Sequence, residues 1–428
     1  MKDNRKGNGA KHKLDRKNFK TNLTCRMCDS KKLTLWLDLG NQPLANSFLK
    51  KEQLTKPEPV YPLRVFFCED CGLSQLIDVV KPEVMFRDYV YFSSGMPKVS
   101  QHWLSYAQDV VGNYTTSPDD FVVEIGSNDG VLLGQIQKLG VRVIGVDPAE
   151  NIVALANKNG IPTLPDFFGE RVADMLREKH GYAKAIVGNN VVAHIDDHKG
   201  LLSGVAKLLS HDGVFIFEAP YLVDMFENLS FDTVYHEHAS YLSLRPIINW
   251  LARYGMEPFM VKVLPIQGNS LRVYACRMGT RPIDASVGAL LKKEERMKMD
   301  SIGSYRELAA KIRSLKEHVT QTLSKLKKSG KTIGGYGAPA KGNTLLNYFD
   351  IGPDTLDYLT EELPSKIGFH SPGMHIPVVH VSEARAKKPD YFLMLAWNYK
   401  PAIMAKEAEY LKSGGKFIMP IGKKRIIS

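Results

Sequence analysis

The sequence predicts an α/β protein built on a doubly wound parallel sheet, with a small cysteine-knuckled module before it and a smaller α/β unit after it. Three observations predict this. Two CxxC pairs stand near the amino terminus, β-rich runs alternate with helical pattern from about residue 119, and a second alternation begins at residue 331. Such alternation marks a parallel sheet covered by helices on both faces. At 428 residues and 44% hydrophobic content the chain exceeds what one core organises, so several units are expected.

Taken in order, residues 1–22 read as a basic, disordered tail. Residues 1–24 hold eight Lys or Arg against two Asp, supplying +6 of the net charge of +11 and leaving +5 on the other 404 residues. The folded body is therefore no strongly basic surface, which argues against nucleic acid as a partner. No run of 18 apolar residues occurs and the charged start has no apolar stretch behind it. Neither a membrane span nor a secretory signal is expected, and the chain is read as cytoplasmic.

Residues 23–85 carry Cys25-Arg-Met-Cys28 and Cys68-Glu-Asp-Cys71-Gly72, with turn-rich, short-stranded sequence between them. Each knuckle sets two sulfurs on one side of a tight turn, and together they complete a thiolate cage for one zinc ion. All four positions are closed by sulfur, so the ion is structural. No thioredoxin-like strand and helix flank either pair, which disfavours a redox role. Cys276, in an alternating apolar run, is expected to be buried.

Residues 86–283 form the main unit, with strands expected at 121–125, 141–146, 184–187 and 213–218. The first strand runs into Glu124-Ile-Gly126-Ser-Asn128-Asp129-Gly130. This acidic-x-Gly-x-x-x-Gly turn lacks the spacing that cradles a pyrophosphate. S-adenosylmethionine has no phosphate and carries a positive sulfonium, so an acidic residue beside the turn suits it. The next strand ends at Asp147, whose carboxylate can accept both ribose hydroxyls, and Asn189 and Asn190 follow the next. Against this stands the plain reading of an ordinary strand-end turn. Ligands of open α/β sheets bind at the carboxyl ends of the strands, where all these residues fall.

Phe231-Asp-Thr-Val-Tyr235-His236-Glu237-His238-Ala-Ser-Tyr241 crowds titratable and phenolic groups just after the sheet, where acid-base chemistry is expected. His236 and His238 at i, i+2 also fit a metal site, but no third and fourth ligands accompany them; a purely structural polar loop is the other alternative. His194, after the third of these strands, is a further candidate contact. Residues 284–330 read as long connecting helix, and residues 331–428 as the smaller Rossmann-like unit. There Gly335-Tyr-Gly337-Ala-Pro-Ala340-Lys341 matches GxGxxA, which raises an NAD-type oxidoreductase. It reads better as a turn approaching the diphosphate of a nucleotide substrate, with Lys341 as point charge and Asn343 and Thr344 as neutral donors.

Residues 119–222 resemble the class I S-adenosylmethionine-dependent methyltransferases in the order of these motifs. With the two knuckles, the stretch Tyr89-Val-Tyr91-Phe-Ser-Ser-Gly, the Tyr-His-Glu-His run and the Gly335 turn, the whole chain from residue 23 resembles the deoxysugar C-methyltransferases. That family acts at C-3′ of nucleotide-linked 4-keto-6-deoxy sugars. The resemblance implies His238 as general base, with Tyr235, Glu237 and Tyr89 or Tyr91 around the sugar. Members of that family can have Asp where His236 stands, so His236 receives no catalytic role. The chemistry agrees: a 4-keto group acidifies the neighbouring carbon, and a neutral imidazole succeeds there if tyrosine hydroxyls or a histidine stabilise the enolate. Glu237 is expected to hold the imidazole tautomer or stabilise its cation. A zinc-ribbon RNA methyltransferase and a non-catalytic zinc-held binding module are the rival readings from other classes. The first predicts salt-sensitive RNA affinity.

Overall fold

A computed structural model of the chain describes residues 12–86, 100–117, 119–266, 268–422 and 426–427. Its centre is a seven-stranded sheet in the order 256–264, 270–277, 209–220, 183–189, 121–125, 142–146 and 163–164. The last five run parallel; Ser270–Arg277 is antiparallel to both its neighbours. Phe121–Ile125 is buried along its whole length, as a central parallel strand must be. Phe121 and Val123 face one core with Val172, Leu176 and Leu201, while Val122 faces another with Tyr106, Leu132 and Ile136. From Phe121–Ile125 the chain proceeds to one side and then returns to the other, so the order reverses between this strand and Ala183–Asn189. That switch point is where such sheets take their ligands.

The cysteine knuckles flank a five-stranded sheet in which Leu33–Gln42 and Ser74–Leu76 both pair with Glu58–Cys68. Its outer strand is Ser240–Tyr241, contributed by the loop that carries the Tyr-His-Glu-His run. A third sheet, of six strands, holds Ile333–Tyr336 at its middle. Among the described residues no helix is long and apolar enough to cross a membrane.

Two expectations are corrected. The described part of the basic stretch, residues 12–22, is built into the fold: His12–Leu14 pairs with Glu58–Val60 and Phe19–Thr21 with Asp78–Val80. Charge density conceals this because Lys20 meets an acid far along the chain, Asp196 at 2.6 Å, while the Phe19 ring stands edge-on to Tyr61. The expected single connector is two helices, Ala285–Arg296 and Ile302–Lys328. Lys298 turns to φ 53° between them and the Ser301 hydroxyl caps the second by accepting from Gly303. The longer helix buries Tyr305, whose ring lies 4.7 Å from Phe67 and 5.1 Å from Phe226. It thus bolts the cysteine-bearing sheet to the main unit.

Candidate active site

The turn after Phe121–Ile125 uses left-handed backbone at Gly126, Asn128 and Gly130, with φ of 64°, 49° and 78°. A Cβ on Gly126 would stand 2.7 Å from Val191 Cγ2, so only glycine fits. The turn wraps the Asp147 carboxylate, which accepts from the Asn128 and Ala149 amides at 2.9 Å each. Asp147 is thereby fixed against the cavity, each oxygen keeping a second lone pair for a ligand hydroxyl. Burial raises its carboxyl above the usual range.

Glu124 lies behind this wall, with Asp129 and Gly130, rather than on it among the described residues. Asn189 stands between, donating to Glu124 at 3.0 Å, and burial pushes Glu124 up to about 8. Asn189 and Asn190 line the cavity, and Oδ1 of each is buried with no hydrogen-bond partner, as is Glu124 Oε2. Buried acceptors left open around a ribose-competent carboxylate fit a polar cationic ligand such as S-adenosylmethionine.

The cavity measures about 1290 Å³, larger than the ~300–1,000 Å³ usual for one small ligand. The 233–238 loop also lines it through Thr233, Tyr235, Glu237 and His238, and His194 joins them with its ring 4.9 Å from that of His238. His238 Nδ1 donates to the Thr233 carbonyl at 2.8 Å, because a carbonyl can only accept. Nε2 is therefore the acceptor, and the Tyr235 hydroxyl donates to it at 2.9 Å. Burial drives His238 down to about 4, and burial together with the neighbouring His238 holds His194 well below its ordinary value, so both rings are neutral near pH 7.

Several expected contacts change. Glu237 does not set the His238 tautomer; Thr233 does, and Glu237 instead accepts from Asn46 Nδ2 at 2.6 Å. Asn343 and Thr344 are buried away from the cavity, Asn343 donating to the Ala45 carbonyl at 2.7 Å, because they occupy the inner face of helix Ala340–Phe349. Lys341 does line the cavity, but its Nζ sits 3.9 Å over the Trp397 ring, and burial lowers it to about 8 against the pull of Asp232 and Asp224. Trp397 donates to Asp232 at 2.7 Å. The Gly337 amide is taken by Thr360 Oγ1 at 2.9 Å, and a Cβ on Gly335 would meet Leu359 at 2.4 Å, so these glycines serve strand packing. Tyr89 and Tyr91 lie outside the described residues. His236 is buried against the Tyr61 carbonyl and takes no place on the cavity wall among the described residues.

Other wall residues carried no sequence signal. Lys366, from a loop of the third sheet, donates to the Ala338 carbonyl at 2.9 Å and lies 3.8 Å from Glu361. His102 meets Glu218 at 3.1 Å, and Arg272 holds the other oxygen of Glu218 while stacking 3.6 Å over Tyr106. Apart from Lys366 and Glu361, these are long-range pairings that spacing along the chain does not announce.

The four cysteines converge as expected, with ligand atoms all within 4.8 Å of one another. Cys25 and Cys71 sulfurs are 3.6 Å apart and Cys28 and Cys68 3.5 Å. Tetrahedral zinc with 2.3 Å bonds separates its sulfurs by about 3.8 Å, so the cage fits the ion. Between two of these cysteines, Arg26 donates to the carbonyls of Ala239 and of Leu76 and to Ser240 Oγ, the last at 3.1 Å. The zinc knuckle thus grips the chain directly after His238.

Comparison with known proteins accounts for these parts in the same order. Residues 25–86 match the family described as "Putative zinc binding domain", residues 107–259 "Methyltransferase domain" and residues 265–422 "C-methyltransferase C-terminal domain". The C-methyltransferase NovU of Streptomyces niveus is 35% identical over 408 residues, covering 94% of this chain and 96% of its own. Among solved structures, magnesium protoporphyrin IX methyltransferase of Synechocystis covers 42% of the chain and 79% of its own at 16% identity and TM-score 0.32. Geranyl diphosphate C-methyltransferase of Streptomyces coelicolor covers 42% and 77% at 14% identity and TM-score 0.32. Neither likeness is close enough to argue from; the relationship rests on the full-length match and the three domains.

Proposed function

This chain belongs to the S-adenosylmethionine-dependent C-methyltransferases, and from that premise we propose that its acceptor is a nucleotide-linked 4-keto-6-deoxy sugar, methylated at C-3′ to make a branched-chain deoxysugar. The observation that carries the reading is one cavity, large enough for two reactants, lined by Asp147 and by the neutral His238–Tyr235 pair.

Asp147 would hold the ribose of the donor, with Asn189 and Asn190 offering acceptors and Glu124 holding Asn189 in place from behind. When bound, S-adenosylmethionine supplies an electrophilic methyl group. The protein supplies the base and the fixed approach. On entering, the acceptor takes the place of the Tyr235 hydroxyl at His238 Nε2, which is then free to remove the proton beside the ketone. The released hydroxyl of Tyr235 donates to the enolate oxygen, where a preorganised donor is worth most. As Nε2 takes the proton, Nδ1 keeps its bond to Thr233, so the ring does not turn. Glu237, anchored by Asn46, accepts a sugar hydroxyl. Lys341 and Lys366, both on the cavity wall, meet the diphosphate.

The test offers purified, zinc-loaded enzyme a panel of nucleotide 4-keto-6-deoxy sugars with isotopically labelled methyl donor and reads the products by mass spectrometry. A labelled methyl on the sugar carbon next to the ketone is expected. Label on oxygen, or on no member of the panel, would exclude this acceptor class.

A further inference from the structure

Away from the cavity, three side chains from distant parts of the sequence turn toward one point. His12 comes from the first described strand, His12–Leu14, Glu58 from the strand it pairs with, and His375 from a loop of the third sheet. Their ligand atoms all lie within 4.8 Å of one another. His375 Nε2 is 3.1 Å from Glu58 Oε2 and His12 Nε2 is 3.7 Å from the same oxygen. Two nitrogen or oxygen ligands on a tetrahedral zinc ion stand about 3.3 Å apart, which these separations bracket.

A hydrogen-bonded trio satisfies only part of this arrangement. His375 can donate to Glu58, which also accepts from the Gly373 amide at 2.9 Å. His12 Nε2 is buried with no hydrogen-bond partner, and so is Glu58 Oε1. A buried polar atom left unpaired is costly, and here one sits on and one beside a carboxylate whose side chain is only 3% exposed. Both imidazoles present the same nitrogen, Nε2, toward the carboxylate. A cation shared by His12 Nε2, His375 Nε2 and Glu58 Oε2 supplies the partner that His12 lacks, and two imidazoles with one carboxylate are borderline-hard ligands that suit zinc.

We propose that His12, Glu58 and His375 form a second zinc site, separate from the four-cysteine cage. The fourth position falls to water, since the His12 side chain is 21% exposed. None of the three lines the cavity among the described residues, so the ion acts as a staple. It fastens the amino-terminal strand and the loop around His375 to the strand that also carries Cys68.

The test is metal stoichiometry of the tag-free, full-length chain after zinc loading and dialysis, by elemental mass spectrometry. Wild type is expected to hold two zinc ions per chain. His12→Ala, at the partly exposed ligand, and Glu58→Gln are each expected to hold one, with methyl transfer unchanged in His12→Ala. Cobalt added to chain carrying one zinc in the cysteine cage is expected to give weak d–d bands without thiolate charge transfer. One zinc per chain in the loaded wild type would overturn the site, as would a second ion that survives both substitutions.

Discussion

Thr233 holds His238: the main-chain carbonyl of the first accepts the Nδ1 proton of the second at 2.8 Å, which leaves Nε2 unprotonated, an acceptor for the Tyr235 hydroxyl. Thr233 is itself held from the third sheet. The preceding residue, Asp232, is fully buried and takes a hydrogen bond from Trp397 at 2.7 Å.

Loosening that clip therefore reaches the base without touching it. Asp232→Ala is expected to lower kcat by about 10–100-fold, the scale of a misplacement near 1 Å, with KM little changed. Trp397→Phe, which removes the hydrogen bond and keeps an aromatic ring under Lys341, is expected to lose less. Steady-state kinetics alongside thermal unfolding separates the two; a change confined to KM would contradict the positioning role.

Tyr235 is expected to act on the enolate. Tyr235→Phe keeps the ring against His238 and removes the hydroxyl, so kcat falls about 10²–10³-fold, as for the loss of one oxyanion donor. The substituted enzyme still binds S-adenosylmethionine by calorimetry. Unchanged kcat would remove Tyr235 from the chemistry.

Zinc in the cysteine cage is expected to matter for turnover as well as for folding. Arg26 joins the knuckle to Ala239, and strand Ser240–Tyr241 pairs with Gln75 and Ser74. Stripping the ion frees the segment that follows His238, while Asp147 and Asn189 stay on the sheet of the main unit. A chelated sample should lose methyl transfer before it loses donor binding, and regain transfer when zinc returns. Full activity in metal-free protein would break this link.

The pH profile carries a sign. Burial sets the folded His238 at about 4, below its unfolded value near 6.5, so the ring is neutral and competent throughout the range between. kcat/KM should then lose its histidine limb only as pH falls toward about 4, whereas a limb at about 6.5 would show an exposed, ordinary imidazole. Stability follows the same linkage. As pH drops below about 6.5 the unfolded chain takes up a proton the folded ring refuses, a loss of about 1.4 kcal/mol per pH unit down to the folded value.

Sequence spacing carried much of this site, for definite reasons. A parallel strand buried on both faces has to be a continuous apolar run, so Phe121–Ile125 and the turn at Gly126 were legible, and paired knuckles announce a thiolate cage. Side-chain partners across the fold were not. Asn46 reaches Glu237 over 191 positions and Trp397 reaches Asp232 over 165, and neither separation leaves a local pattern. Asn343 and Thr344 looked like phosphate donors because spacing from a glycine turn does not say which face of the following helix is buried. That residues 12–22 are built into the fold was hidden by their charge, since the acid that meets Lys20 lies far along the chain.

The most direct measurement of the central claim, that His238 removes a proton from the carbon beside the ketone, is proton NMR of the acceptor in deuterium oxide with enzyme and no methyl donor. Wild type is expected to exchange the C-3′ proton, and His238→Asn to leave it in place while still binding S-adenosylmethionine. Exchange by His238→Asn at the wild-type rate would assign the base elsewhere.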